Sequence, residues 1–92
     1  MNIYYVYILE VIAKTGKRSY YTGYTNNLYR RWHEHRNGTG ARFCKGKKKI
    51  ELKYFETYQT RKEAMCRELQ IKTLSRKQKQ ELIMSVNDKY SS

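Results

Sequence analysis

Ile3-Tyr4-Tyr5-Val6-Tyr7-Ile8-Leu9, closed by Glu10 and Val11, is the stretch on which the fold turns. Both of its alternating sets of side chains are apolar or aromatic, and a strand of that kind needs cover on both faces. It is therefore expected to be a central strand, with layers above and below. Lys14-Thr15-Gly16-Lys17-Arg18 has the glycine and polar cluster of a hairpin turn. Ser19 to Gly23 then resumes a β-rich run that can pair antiparallel with the first.

Outward from this hairpin, Thr25 or Asn26 can cap a helix through a side-chain oxygen, and Gly38 after Asn37 can stop it, which places helix one at about 27 to 37. Ile50, Leu52 and Tyr54 alternate with Glu51, Lys53 and Phe55, the pattern of a third strand ending near Thr57. Thr60-Arg61-Lys62-Glu63 is a capping box that opens helix two, running to about Leu74. Ser75-Arg76-Lys77-Gln78 opens helix three, with Leu82, Ile83 and Val86 on one side and a frayed tail from Asn87 to Ser92. The order is ββαβαα, an α/β (α+β) chain forming one domain over residues 1–86.

Ninety-two residues and 11.2 kDa leave no room for a second core. Twenty basic against 8 acidic residues give +12, a surplus that calls for a polyanionic partner, with nucleic acid first. The longest apolar run is far shorter than the roughly 20 residues of a membrane span, so a soluble, cytoplasmic protein is expected. Cys44 and Cys66 lie outside any C-x-x-C spacing and read as reduced thiols rather than a disulfide or a zinc ribbon.

The charge is concentrated. Between Arg30 and Lys49 stand eight basic residues against Glu34 alone. A lysine-rich run of this kind is either a solvated loop or a phosphate grip, and Phe43 with its flanking glycines suits the second, which makes Arg42, Lys45, Lys47, Lys48 and Lys49 candidate nucleic-acid contacts.

Two helices carry residues at odds with their apolar sides. On helix two, Ala64, Met65, Leu69, Ile71 and Leu74 mark one arc, and Glu68 falls in its middle. A carboxylate turned toward a core needs a cation, a metal or strong donors. On helix one, Leu28 and Trp32 define the inward side, which Arg31 and His35, one turn apart, share. A cation and a carboxylate are thus expected to face one another. His33 points about 160° away from His35, a poor metal pair on a helix. Tyrosines crowd the first two strands, and a phenol of pKa about 10 can serve as a base where cations stand near it.

Tyr5-Val6-Tyr7, Tyr21-Thr22-Gly23, Arg31, His35 and Glu68, in that order, resemble the GIY-YIG nuclease superfamily, and over nearly the whole chain the small stand-alone bacterial members in particular. The resemblance implies a three-stranded antiparallel sheet flanked by helices. It implies one divalent ion, Mg2+ or Mn2+, held by Glu68 with waters and the scissile phosphate. Tyr7 takes the place of the general base, Tyr21 contacts phosphate or water, and Arg31 neutralises charge developing on the phosphate. His35 orients rather than transfers protons, and Gly23 belongs with the nucleic-acid contacts. The reaction implied is phosphodiester hydrolysis leaving a 3′-hydroxyl and a 5′-phosphate, on DNA before RNA, in repair or recombination. Tyr5 and Thr22 depart from the name-giving motif, and Tyr24 stands where other branches place Lys or Ser. Ninety-two residues leave no room for a targeting domain, so substrate choice is expected to fall to the loops of this domain or to a protein partner. Two other functions stay open: a nucleic-acid binding module without chemistry, and an adaptor for another protein.

Overall fold

The computed structural model describes residues 2–37 and 49–90, with backbone alone over 86–90. The elements are β1 (Tyr4–Ile12), β2 (Arg18–Thr25), α1 (Leu28–Arg36), β3 (Lys49–Tyr58), α2 (Arg61–Lys72) and α3 (Arg76–Tyr90). The last helix runs on to Tyr90, where a tail was expected from Asn87.

β1 is central, as its two apolar faces require: the sheet order is β2-β1-β3 and both pairings are antiparallel. Its alternation divides the core in two. Val6 and Ile8 pack with Tyr54, Ala64, Ile71 and Ile83 beneath α2 and α3. Leu9 and Val11 pack on the other face with Ile50, Leu52, Tyr21 and Trp32, beneath α1. Glu10, the residue that interrupts the run, is buried among cations, with Arg18 at 3.8 Å and Lys53 at 3.9 Å from its Oε1. Lys53 can reach it because a bulge between the Ile8–Tyr54 and Leu9–Leu52 pairs gives β3 one extra residue there.

The joints follow local chemistry. Gly16 in the hairpin turn has φ +90°, a conformation a side chain would resist. The cap of α1 is Asn27, one residue past the expected positions: its Oδ1 accepts from Arg30 N at 3.0 Å. Thr25 Oγ1 instead accepts from Asn27 N at 3.1 Å and turns the chain off β2. The Ser75 box is reciprocal: Gln78 N donates to Ser75 Oγ at 3.1 Å while Ser75 N donates to Gln78 Oε1 at 2.8 Å. At Thr60 the cap is made by Glu63 N donating to Thr60 Oγ1 at 3.2 Å, and the Thr60 hydroxyl rather than its backbone N–H donates to Glu63 Oε1 at 2.8 Å.

α2 buries a narrower stripe than its composition suggests. Ala64 and Ile71 are fully buried, whereas Met65 is 42% and Leu69 60% exposed. The helix rests chiefly on β1 and β2 of a three-stranded sheet, so flanking apolar side chains find no surface to cover. Arg67 clamps it to β3: its Nε lies 2.9 Å and its Nη2 3.0 Å from the two Glu56 oxygens, which also accept from Tyr54 and Tyr58. Burial works against the Glu56 charge, but Arg67 and the two phenols outweigh it and hold the carboxyl below its ordinary range.

Candidate active site

Strand register and helix spacing bring four side chains together on the α1 face. Tyr7 and Gly23 are paired across β1 and β2, and Leu9 is paired with Tyr21, so the two tyrosines project to the same side two residues apart. Their rings meet edge-on, with centroids 6.5 Å apart. From α1, His35 enters between them, 5.8 Å from the Tyr7 ring and 5.1 Å from the Tyr21 ring. One turn earlier on the same helix face, Arg31 is near enough to Tyr7 for the phenol to help raise its pKa, and stands 3.6 Å from Glu34.

A guanidinium can only donate, so any bond between Arg31 and Tyr7 Oη would be accepted by the phenol oxygen. Tyr7 Oη and His35 Nε2 are 2.9 Å apart. Burial, reinforced by the charge of Arg31, lowers the His35 pKa from 6.5 to about 4, which keeps the ring neutral near pH 7. A neutral ring carries its proton on one nitrogen, so Nε2 either accepts from the Tyr7 hydroxyl or donates to its oxygen according to the tautomer. Burial also works against the charge of Arg31, but Tyr7, Glu34 and Tyr21 raise its pKa overall.

A neutral buried histidine links stability to pH. As pH falls below about 6.5 the unfolded chain takes up this proton while the folded chain refuses it until about 4. Stability present above pH 6.5 should thus drain away between those values, by up to about 3 kcal/mol at 1.36 kcal/mol per pKa unit. Urea titrations across this window should show a steeper decline for the wild type than for His35→Gln; equal declines would contradict the assignment.

Gly23 is explained by packing. A Cβ there would lie 2.5 Å from Tyr7 Oη and 2.7 Å from its Cζ, so the Tyr7 ring occupies the space a side chain would take. Thr22, beside it, projects to the opposite face, where its Oγ1 is buried without a hydrogen-bond partner among the described residues.

Glu68 is not part of the cluster across the core. α1 and α2 cover opposite faces of the sheet, so Arg31 and Glu68 do not face one another as expected. The carboxylate sits on the buried stripe between Ala64 and Ile71, 13% exposed, with Lys72 Nζ 3.4 Å from Oε1. α2 rests chiefly on β1 and the edge strand β2, so Glu68 and the two tyrosines lie on opposite faces of the sheet. Among the described residues no group of three or more His, Cys, Asp or Glu could enclose a metal. A single carboxylate still fits a hard divalent ion that keeps most of its waters and takes the rest of its shell from phosphate.

Of the expected nucleic-acid contacts, Arg42, Lys45, Lys47 and Lys48 lie outside the described residues. Lys49 opens β3, where its Nζ is 2.7 Å from Glu51 Oε1. His33 packs on Tyr29 and Trp32 rather than beside His35.

Residues 3–81 match the GIY-YIG catalytic domain model, from the first strand to the middle of the last helix. The chain belongs to the GIY-YIG family. A UPF0213 protein of Clostridium perfringens is 47% identical over 81 residues, covering 88% of this chain and 83% of that one. A UPF0213 protein of Haloquadratum walsbyi is 43% identical over 83 residues and 89% of each chain. Among solved structures, the solution NMR structure of a UPF0213 protein from Bacillus halodurans superimposes with a TM-score of 0.53 at 39% identity, covering 89% of this chain and 83% of that one. Fold and GIY-YIG membership are thereby shown, and a nuclease family implies nucleic acid as the substrate class. No helix among the described residues is long and apolar enough to cross a membrane.

Proposed function

We propose that this GIY-YIG protein is a divalent-metal-dependent endonuclease that hydrolyses phosphodiester bonds, in DNA before RNA, with repair or recombination as its setting. The supporting observation is the buried Tyr7 hydroxyl, 2.9 Å from His35 Nε2, with Tyr21 alongside and the Arg31 charge in its field. A purely structural tyrosine gains little from a guanidinium near its oxygen, whereas a base gains a lower cost of ionisation.

In this reading Tyr7 reacts as the phenolate that Arg31 stabilises. It takes a proton from the attacking water; the water oxygen bonds to phosphorus as the bond to the leaving 3′ oxygen breaks, and solvent protonates that oxygen. The ends left are a 3′-hydroxyl and a 5′-phosphate. His35, neutral and a weak base at pH 7, orients Tyr7 and takes no proton. Arg31 also offsets charge developing on the phosphate, and Tyr21 contacts phosphate or water. Glu68 would hold the divalent ion, Mg2+ or Mn2+, which supplies Lewis-acid charge to the phosphate when bound.

Arg31→Ala should then lower the single-turnover cleavage rate by about 10²- to 10³-fold, the scale of deleting one preorganised electrostatic donor. A rate within threefold of wild type would remove Arg31 from the chemistry.

A further inference from the structure

Beside the tyrosine cluster, on the same face of the sheet, lies a groove of about 620 Å³ that the hydrolytic reading does not use. Tyr5, Leu28, Tyr29, Trp32, Leu52 and Phe55 line it, within the size range of small-ligand clefts. Phe55 is 51% and Tyr29 74% exposed, large aromatic surfaces left facing water. The groove adjoins the site directly, because Phe55 is the cross-strand partner of Tyr7 and projects to the same face. Tyr5 meets Phe55 edge-on at 6.0 Å, so one ring supports the other.

Charge decides among occupants. The chain carries +12, and the helix forming one wall of the groove contributes Arg30, Arg31 and Arg36 against Glu34. A second copy of this chain would bring like charge to it, whereas a polyanion with flat apolar faces suits both charge and aromatic lining. Exposed aromatic rings beside a cationic surface are the means by which proteins hold unpaired nucleotides, stacking on bases that a duplex keeps stacked on one another.

We propose that this groove is a nucleobase-stacking subsite, in which Phe55 and Tyr29 hold an unpaired base of single-stranded DNA next to the phosphate to be cut. The proposal rests on the nuclease reading for what happens at that phosphate, but the binding itself needs neither metal nor turnover. Substrate preference then follows from the fold: a phosphate beside an unpaired nucleotide is favoured over one within a continuous duplex.

Trp32 is the one tryptophan in the sequence and lines the groove, which makes its fluorescence a built-in reporter. The full chain in EDTA would be titrated with a thymidine decanucleotide and, separately, with a blunt hairpin duplex at the same salt. The single strand should change Trp32 emission and bind more tightly than the duplex. Phe55→Ala and Tyr29→Ala should each weaken single-strand binding by about 5- to 100-fold, the range for one base–aromatic stack, with duplex affinity within about twofold. Phe55→Tyr should restore single-strand binding. Both positions are exposed enough for truncation to leave the core intact. Equal loss on both DNA forms, no loss on either, or tighter binding of the duplex would overturn the proposal. So would a concentration-dependent dimer abolished by Phe55→Ala, which would seat a second copy in the groove. Because cleavage plays no part in this readout, inactivity of the wild type on every substrate would count against the nuclease reading alone.

Discussion

Glu68→Gln should reduce metal-dependent cleavage by about a thousandfold or more while the protein stays folded and still binds DNA. The loss reflects the Lewis-acid charge on the reacting phosphate, worth several kcal/mol when the ion is held and absent when its carboxylate is gone. The fold should tolerate the change because glutamine keeps the size of the side chain on the stripe between Ala64 and Ile71. The ion pair given up, to Lys72 at 3.4 Å, is an i,i+4 pair of the kind worth about 0.3 to 0.5 kcal/mol. Cleavage kinetics with a parallel melting curve check both halves. Undiminished cleavage would exclude Glu68 as the metal ligand, and loss of the fold would show that its charge serves the helix instead.

Gly23→Ala should be nearly as damaging, by a different route. The added methyl would arrive 2.5 Å from Tyr7 Oη, against a ring that is buried and hydrogen-bonded to His35. Something must move, and overpacking of this kind costs about 1 to 3 kcal/mol of stability. On the proposed reading the activity should fall further, by about 10²- to 10⁴-fold, because displacing Tyr7 would remove the general base as surely as Tyr7→Phe would. If both act through that one hydroxyl, the double variant should cut no more slowly than Tyr7→Phe alone. Rates for Gly23→Ala close to wild type would mean that the position of Tyr7 does not govern the reaction.

The same pair of residues shows what could be read from the chain and what could not. Tyr7 and Tyr21 were legible because strands have a period of two, so residues on two paired strands declare which face they share once the hairpin is found. Arg31 and His35 were legible because four residues are one helical turn. Gly23 was read as a nucleic-acid contact; its place against the Tyr7 ring on the neighbouring strand was not legible, because that contact depends on register. Glu68 was visible as a misplaced carboxylate, but a helical wheel does not say which face of the sheet the helix covers. Packing onto β1 and β2 also left Met65 and Leu69 outside the stripe, a narrowing set by the sheet's three strands rather than by the helix. Asn27 displaced the expected caps because Thr25 spends its hydroxyl on the turn. The clamp of Arg67 on Glu56 and the groove under Phe55 both join β3 to distant segments, and neither leaves a local pattern.

The most direct test is cleavage itself: end-labelled single-stranded, duplex, nicked and branched DNA incubated with the purified wild type in Mg2+ or Mn2+, with EDTA and Arg31→Ala as controls. The expected result is cutting of at least one substrate with an unpaired nucleotide at the cut site, leaving 5′-phosphate ends, abolished by EDTA and strongly reduced by Arg31→Ala. Cutting that persists unchanged in EDTA and in Arg31→Ala, or no cutting of any substrate by a protein that still binds them, would contradict it.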